Sequence, residues 1–408
     1  MVLRVPLALL VVSAAQVRVS AGDLAPPRVG SPITHSDWML RDPAPQWGPE
    51  GVRQVLDRCK ACGWDRVYWR CFDGGRALYH SRLMDPLHNF DADENYHKDH
   101  GSEWVLEKLS RFDWSESDAF AEAVRYGHEI GLEVHAWLSI NEDDHGYGLT
   151  SRFTREHPDT RWVRRDGTVY RSQQSFAFGE VRAYKLALVR EILSYDPDGI
   201  FFDWIRTGDV RDNPQTDADG VATYGYEEPN VRKFTARYGM SPQEVPNGDP
   251  RWVAVRAEPQ TVFMREASRL IRRRCPKAVI SVMVHGPYGY RGRPTDTPYD
   301  GSLRGLLVDV ATWAREGLVN EVVAAGYYRP GGDAEQTYRW LARETDGRCA
   351  LWLFGWIGSP EQFRADIDLA QRLGAAELLL WESDYIGLPP ANEGTVRAMQ
   401  EYAGQRRP

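Results

Sequence analysis

Short apolar runs and amphipathic stretches alternate along almost the whole chain. Runs of strand length fall at Ile33 to Asp37, Arg66 to Cys71, Glu133 to Ser139, Gly199 to Asp203, Val279 to His285, Glu321 to Tyr327, Ala350 to Gly355 and Glu377 to Glu382. Between them, apolar residues recur at helical spacing in Pro49 to Cys62, Ser117 to Ile130, Val181 to Ser194, Thr261 to Arg274, Leu303 to Glu316, Asp333 to Glu344 and Pro360 to Leu373. A last amphipathic segment runs from Asn392 to Tyr402. Strand and helix in strict alternation, eight times over, predict an α/β fold of the (β/α)8 TIM-barrel type rather than two separate domains.

Three connections are too long for plain turns between a barrel strand and its helix. They run from Asp73 to about Asp113, from Asn141 to about Gly179, and from Arg206 to about Gln260, the last with a small helix around Glu228 to Tyr238. These long insertions follow strands two, three and four at their C-terminal ends, where such barrels build a cleft. Strand four, Asp198-Gly199-Ile200-Phe201-Phe202-Asp203-Trp204, gives the clearest polarity. Alternation puts Ile200, Phe202 and Trp204 on one face and Phe201 with Asp203 on the other. Helices would cover the first face while the acid projects from the strand's end; a loop cap or a pair with Arg206 is the plainer reading of Asp203.

Composition narrows the class of partner. The 408 residues are 42% hydrophobic and 26% charged, with a formal net charge of −8. Acidic and basic residues are mixed along the chain, which excludes the basic footprint of a nucleic-acid binder and suits an uncharged or cationic partner. Fifteen tryptophans are a notable number, because an indole face stacks on the C–H face of a sugar as well as filling a core; most are expected to be structural. Residues 1–21 read as an export signal: Arg4, the apolar stretch Val5 to Ala15, then Val19-Ser20-Ala21 as a cleavage site. The expectation is a secreted or periplasmic protein whose mature chain, 22–408, forms a single barrel domain with no other membrane attachment; an uncleaved N-terminal anchor is the alternative. Of the five cysteines, Cys59 and Cys62 fall on an amphipathic helix where both thiols pack inward, and a disulfide among the five stays open.

In a barrel the strand ends converge, so their residues form one inventory. Strand one ends His35-Ser36-Asp37-Trp38, strand two Trp69-Arg70-Cys71-Phe72-Asp73, and strand three offers His135, Trp137 and Ser139 before Asn141-Glu142-Asp143-Asp144. Strand four gives Asp203, strand five His285, strand six Tyr327 and Tyr328, strand seven Trp356, and strand eight Trp381-Glu382-Ser383-Asp384. A polar cleft rimmed by Trp and Tyr suits a carbohydrate. Glycoside hydrolysis needs two carboxyl groups, one ionised and one protonated. Asp203 is the candidate nucleophile or base, and Glu382, after an apolar run and beside Trp381, the candidate acid. Glu142 is the rival acid, unless its acidic loop is merely solvated; Glu382 would alternatively pair with Arg70. Arg70, Asp73, Trp137, Asn141, Glu142, His285, Tyr327 and Trp356 would line the cleft. The histidines and acids between His80 and His100 lack the spacing of a zinc site, so no metal and no cofactor is expected.

Two stretches resemble a known family. Asp196-Pro197-Asp198-Gly199-Ile200-Phe201-Phe202-Asp203, preceded by Phe178-Gly179-Glu180-Val181-Arg182 opening a helix, resembles the family 10 glycosyl-hydrolase-like barrels of exported bacterial proteins. Glu133-Val134-His135-Ala136-Trp137-Leu138 matches the same pattern on strand three. The resemblance implies a (β/α)8 fold, a carbohydrate substrate and a catalytic role for Asp203. Val284-His285-Gly286 and Gly326-Tyr327-Tyr328-Arg329 supply no acid after strands five and six, so the second carboxylate is assigned from this chain alone. A non-catalytic carbohydrate-binding or scaffold barrel is the alternative function.

Overall fold

Eight parallel strands pair in chain order and then close on themselves. They are β1 (Arg28–Ile33), β2 (Arg66–Asp73), β3 (Glu133–Ser139), β4 (Gly199–Asp203), β5 (Val279–His285), β6 (Glu321–Ala325), β7 (Ala350–Trp356) and β8 (Glu377–Trp381). β8 returns to β1 in the register Arg28 to Glu377, and β1 pairs on its other side with β2. The helices that follow them are α1 (Pro49–Ala61), α2 (Ala119–Glu129), α3 (Gly179–Ile192), α4 (Pro250–Arg274), α5 (Val310–Arg315), α6 (Asp333–Thr345), α7 (Pro360–Leu373) and α8 (Glu393–Arg406). The computed structural model describes residues 26–34, 37, 48–87, 117–141, 143, 150–203, 205, 216–285, 303–325, 333–381 and 393–406.

The alternation expected of strand four is what separates the two cores. Ile200 and Phe202 join the layer between strands and helices. Phe201 points inward and meets Tyr68, Trp137, Met283, Val323, Trp352, Phe354 and Leu379 in the barrel's centre. Gly30 of β1 leaves room for this filling, because a Cβ on it would lie 3.3 Å from the Trp352 ring. Side chains of this size fill the interior of an eight-stranded barrel, so it is a core and not a pore.

Four elements depart from the sequence pattern, each for a local reason. β1 starts at Arg28 and ends at Ile33 rather than starting there. Gly30 and Pro32 read as breakers, yet β1 is laddered to β8 only over Arg28–Gly30, so Pro32 lies beyond that ladder. α4 begins at Pro250, eleven residues before the expected Thr261, and carries Pro259 inside it. Leu307 takes a left-handed φ of 56° and Asp309 caps a new helix at Thr312 N–H, so the expected Leu303 to Glu316 helix is two short ones. The β3–α3 connection holds an antiparallel hairpin, Arg161–Val163 with Val169–Gln174; its readable signal was Asp166-Gly167, with Gly167 at φ +87.

The first residues of the strands gather charges at the barrel's N-terminal end. Arg66 donates to Glu133 and Glu321, each at 2.7 Å, and lies 3.5 Å from Glu377, while Arg28 reaches Glu133 at 2.7 Å and Glu377 at 3.2 Å. Two guanidiniums face three carboxyls, so one carboxyl is in surplus. It is the most buried one: burial, helped by Glu321 against the pull of Arg66, pushes Glu377 up to about 9. His135, fully buried beside this cluster, is pushed down to about 3 by burial and by the charge of Arg66.

These shifts act on stability in opposite directions. The Glu377 contribution is fully present below about 4.5 and is lost as the pH rises toward 9; that of His135 is present above about 6.5 and lost as the pH falls toward 3. The alkaline loss from Glu377 alone is at most about 1.4 kcal/mol per pH unit. Glu377→Gln is expected to flatten the fall of Tm between pH 6 and pH 9, and calorimetry that gives parallel slopes for both proteins would remove this assignment.

All five cysteines are free thiols. Cys59, Cys62 and Cys71 are buried, and burial raises their thiol pKa values, that of Cys62 to about 11. Thiol titration of the native protein should modify Cys275 and Cys349 first, with the three buried thiols reacting only in denaturant.

Candidate active site

At the C-terminal end of β2 a bulge rearranges the alternation. Arg70 pairs with Trp137 of β3 and Phe72 with Leu138, so Cys71 is an extra residue in the ladder. Cys71 and Phe72 both pack outward, and Asp73 returns to the side of Arg70. Residues three apart on a regular strand face opposite sides; here Arg70 Nη2 donates to Asp73 Oδ1 at 2.9 Å, both side chains buried. Bulges re-aim side chains in this way near functional sites.

The Arg70 guanidinium lies over the Trp137 ring, 4.7 Å from its centre. The Trp137 indole Nε1 donates to Asp203 Oδ2 at 3.1 Å. Asp203 ends β4 in register with Ser139, whose buried hydroxyl has no hydrogen-bond partner among the described residues. Trp381, at the end of β8, meets Trp137 edge to face at 5.3 Å and Phe354 of β7 at 5.6 Å. Five strands thus bring a carboxylate, a buried ion pair and three aromatic rings to one end of the barrel. Cation and aromatic face reinforce each other here because both are out of water.

The described parts of the second and third insertions are docked against the same end. With its amide turned as its neighbours require, Asn141 donates to Gln174 O at 2.9 Å and accepts from Trp162 Nε1 at 3.3 Å, so it ties the hairpin to the end of β3. Glu227, opening the helix Glu228–Tyr238, accepts from the Ser175 hydroxyl at 2.5 Å and Asn230 Nδ2 at 2.9 Å. Burial pushes its carboxyl up to about 7, against the hydrogen bonds of Ser175 and the backbone. That proton affinity would serve a general acid, but the side chain is enclosed between the hairpin and the β4–α4 connection. It holds the two insertions together.

Of the residues named from the sequence, Arg70, Asp73, Trp137 and Asp203 come together. Asn141 stands nearby with its amide engaged by the hairpin. His285 and Trp356 end β5 and β7; their side chains, like the whole of Glu142, Tyr327 and Glu382, lie outside the described residues. Trp204 and Arg206 do as well. Arg70 pairs with Asp73; the alternative pairing of Arg70 with Glu382 lies outside the described residues. Trp381 and Ser139 stood in the strand-end inventory without a role, and Glu227 was not named. Trp381 was readable as the third inward position of β8 after Glu377 and Leu379; Glu227 reads as an ordinary residue before a helix.

Residues 54–348 match the model of the glycosyl hydrolase-like 10 family. The chain belongs to the glycosyl hydrolase-like 10 family. No curated protein matches it in sequence. Solved glycosidases share the barrel. The catalytic domain of β-amylase from Paenibacillus polymyxa superposes with a TM-score of 0.59 at 10% identity, covering 94% of this chain and all of that one. An α-L-fucosidase from Paenibacillus thiaminolyticus gives 0.57 at 12% identity over 93% of this chain and 49% of its own. A β-galactosidase from Marinomonas ef1 gives 0.57 at 12% identity, over 93% of this chain and 59% of its own. At such identities the likeness is one of fold. This glycosyl hydrolase-like chain is a closed parallel barrel with helices between its strands.

Trp137→Phe keeps a ring beneath Arg70 and removes the N–H on Asp203. A hydrogen bond to a charged group contributes about 1.5–3 kcal/mol, and denaturant unfolding is expected to register a loss of that order.

Proposed function

We propose that this glycosyl hydrolase-like barrel is an exported glycoside hydrolase that cleaves O-glycosidic bonds of a poly- or oligosaccharide. The observation that carries the reading is Asp203 at the C-terminal end of β4, oriented by the Trp137 N–H at 3.1 Å beside the Arg70–Asp73 pair. In this reading the Asp203 carboxylate acts on the anomeric carbon, directly as nucleophile or through a water as base. Glu382, next in sequence after Trp381, gives its proton to the leaving oxygen as the glycosidic C–O bond breaks. Trp381, half-buried above Trp137 and Phe354, offers a ring face to the sugar. The family and the barrel make carbohydrate the natural ligand class, and the apolar stretch ahead of Val19-Ser20-Ala21 supports export.

The purified mature chain, screened against a panel of glycans, is expected to release sugar from at least one of them. Asp203→Asn and Glu382→Gln should each lower that rate on the order of 10²–10⁴-fold. Binding without any cleavage would instead identify a non-catalytic carbohydrate-binding barrel, and an Asp203→Asn variant with full activity would exclude this mechanism.

A further inference from the structure

Lys185 breaks the pattern of its own helix. α3 buries Val181, Lys185, Leu188, Val189 and Ile192, the spacing of one apolar stripe, so Lys185 holds a position where a leucine would pack. Its side chain is 4% exposed and its amine lies 3.9 Å from Asp143 Oδ1. Burial lowers the ammonium's pKa, and the charge of Asp143 works against that. Asp143 is equally buried, and its other oxygen accepts from the Ser151 N–H at 3.0 Å, the Ser151 hydroxyl at 2.6 Å and the Thr154 hydroxyl. Apolar side chains of similar volume often hold a fold as well as a buried ion pair, which carries a desolvation penalty. A pair kept against the local pattern therefore points to function rather than to stability.

The pair reaches the barrel mouth through the turn after β2. Gly75, at φ +74, stands against Asp143 and Ser151: a Cβ on it would lie 2.7 Å from Ser151 N and 3.1 Å from Asp143 Cγ. Two residues earlier, Asp73 holds Arg70 over Trp137, and Trp137 holds Asp203. The place of Asp143 thus sets how the β2 turn seats against the β3 connection, and with it the ion pair at the mouth. We infer that Lys185 and Asp143 form a buried charge clamp that positions the Arg70–Asp73 pair, and through Trp137 the carboxylate of Asp203, for glycoside hydrolysis. Both are positioning residues, and the inference rests on the hydrolase reading proposed above.

The test uses the mature chain and a glycan that it cleaves. Lys185→Met removes the charge at similar length, Lys185→Arg restores it, and Gly75→Ala forces the β2 turn away from Asp143. Should Lys185→Met fold poorly, Lys185→Met with Asp143→Asn removes both charges together. Folded Lys185→Met and Gly75→Ala are expected to lose kcat on the order of 10–100-fold, the scale of a small misplacement of reacting groups, with KM little changed. Lys185→Arg should recover much of the loss. Folded variants with wild-type kcat, beside an inactive Asp203→Asn, would overturn the clamp and leave the hydrolase reading standing. A fully active Asp203→Asn, or a wild-type chain that cleaves no glycan, would overturn both.

Discussion

The middle of the barrel is closed by large rings, and the rest of the molecule follows from that. Tyr68 lies 4.5 Å from Phe201 and 5.5 Å from Trp352, with Trp137 above them. An eight-stranded barrel has room for layers of side chains and little else. Polar groups that face inward are therefore driven to the two ends. Below the rings stands the Arg66 cluster, and above them Asp203 with the Arg70–Asp73 pair. At each end an arginine lies on a ring of the plug, Arg66 over Trp352 and Arg70 over Trp137, both 4.7 Å from the ring centre. At the lower end, burial under this layer moves Glu377 and His135 far from their ordinary behaviour.

The insertions satisfy the same constraint from outside. A loop buried against a barrel mouth must find partners for its polar groups. Arg256 of α4, fully buried, donates to the carbonyls of Ala222, Tyr224 and Asn247, and Gly225 at φ +100 leaves space for its stem. Asn141, Glu227 and Asp143 do the corresponding work between hairpin, helix and strand ends. Among the described residues, stability and site geometry are carried here by one set of buried hydrogen bonds.

Much of this was legible before any coordinates. The alternation at Gly199–Asp203 correctly assigned Ile200 and Phe202 to the outer core and Phe201 to the inner one. Arg70, Asp73, Trp137 and Asp203 were named together from their places at strand ends. Other features were not legible. Asp73 faces Arg70 only because one extra residue enters the β2 ladder, and nothing in Trp69-Arg70-Cys71-Phe72-Asp73 announces a bulge. Pro259 hid the first half of α4, because proline's penalty in a helix is a local rule that tertiary burial overrode.

The sequence by itself determined what depends on periodicity and residue type. Eight repeats of strand and helix leave one closed solution for their apolar faces, and an acid after an apolar strand must emerge at the strand's end. Only the tertiary structure decided which buried groups meet. Lys185 and Asp143 lie 42 residues apart and Arg66 and Glu377 are separated by 311, so no local pattern links them. Charge pairs of that kind depend on strand register and on which strands become neighbours, and barrel closure settles both at once.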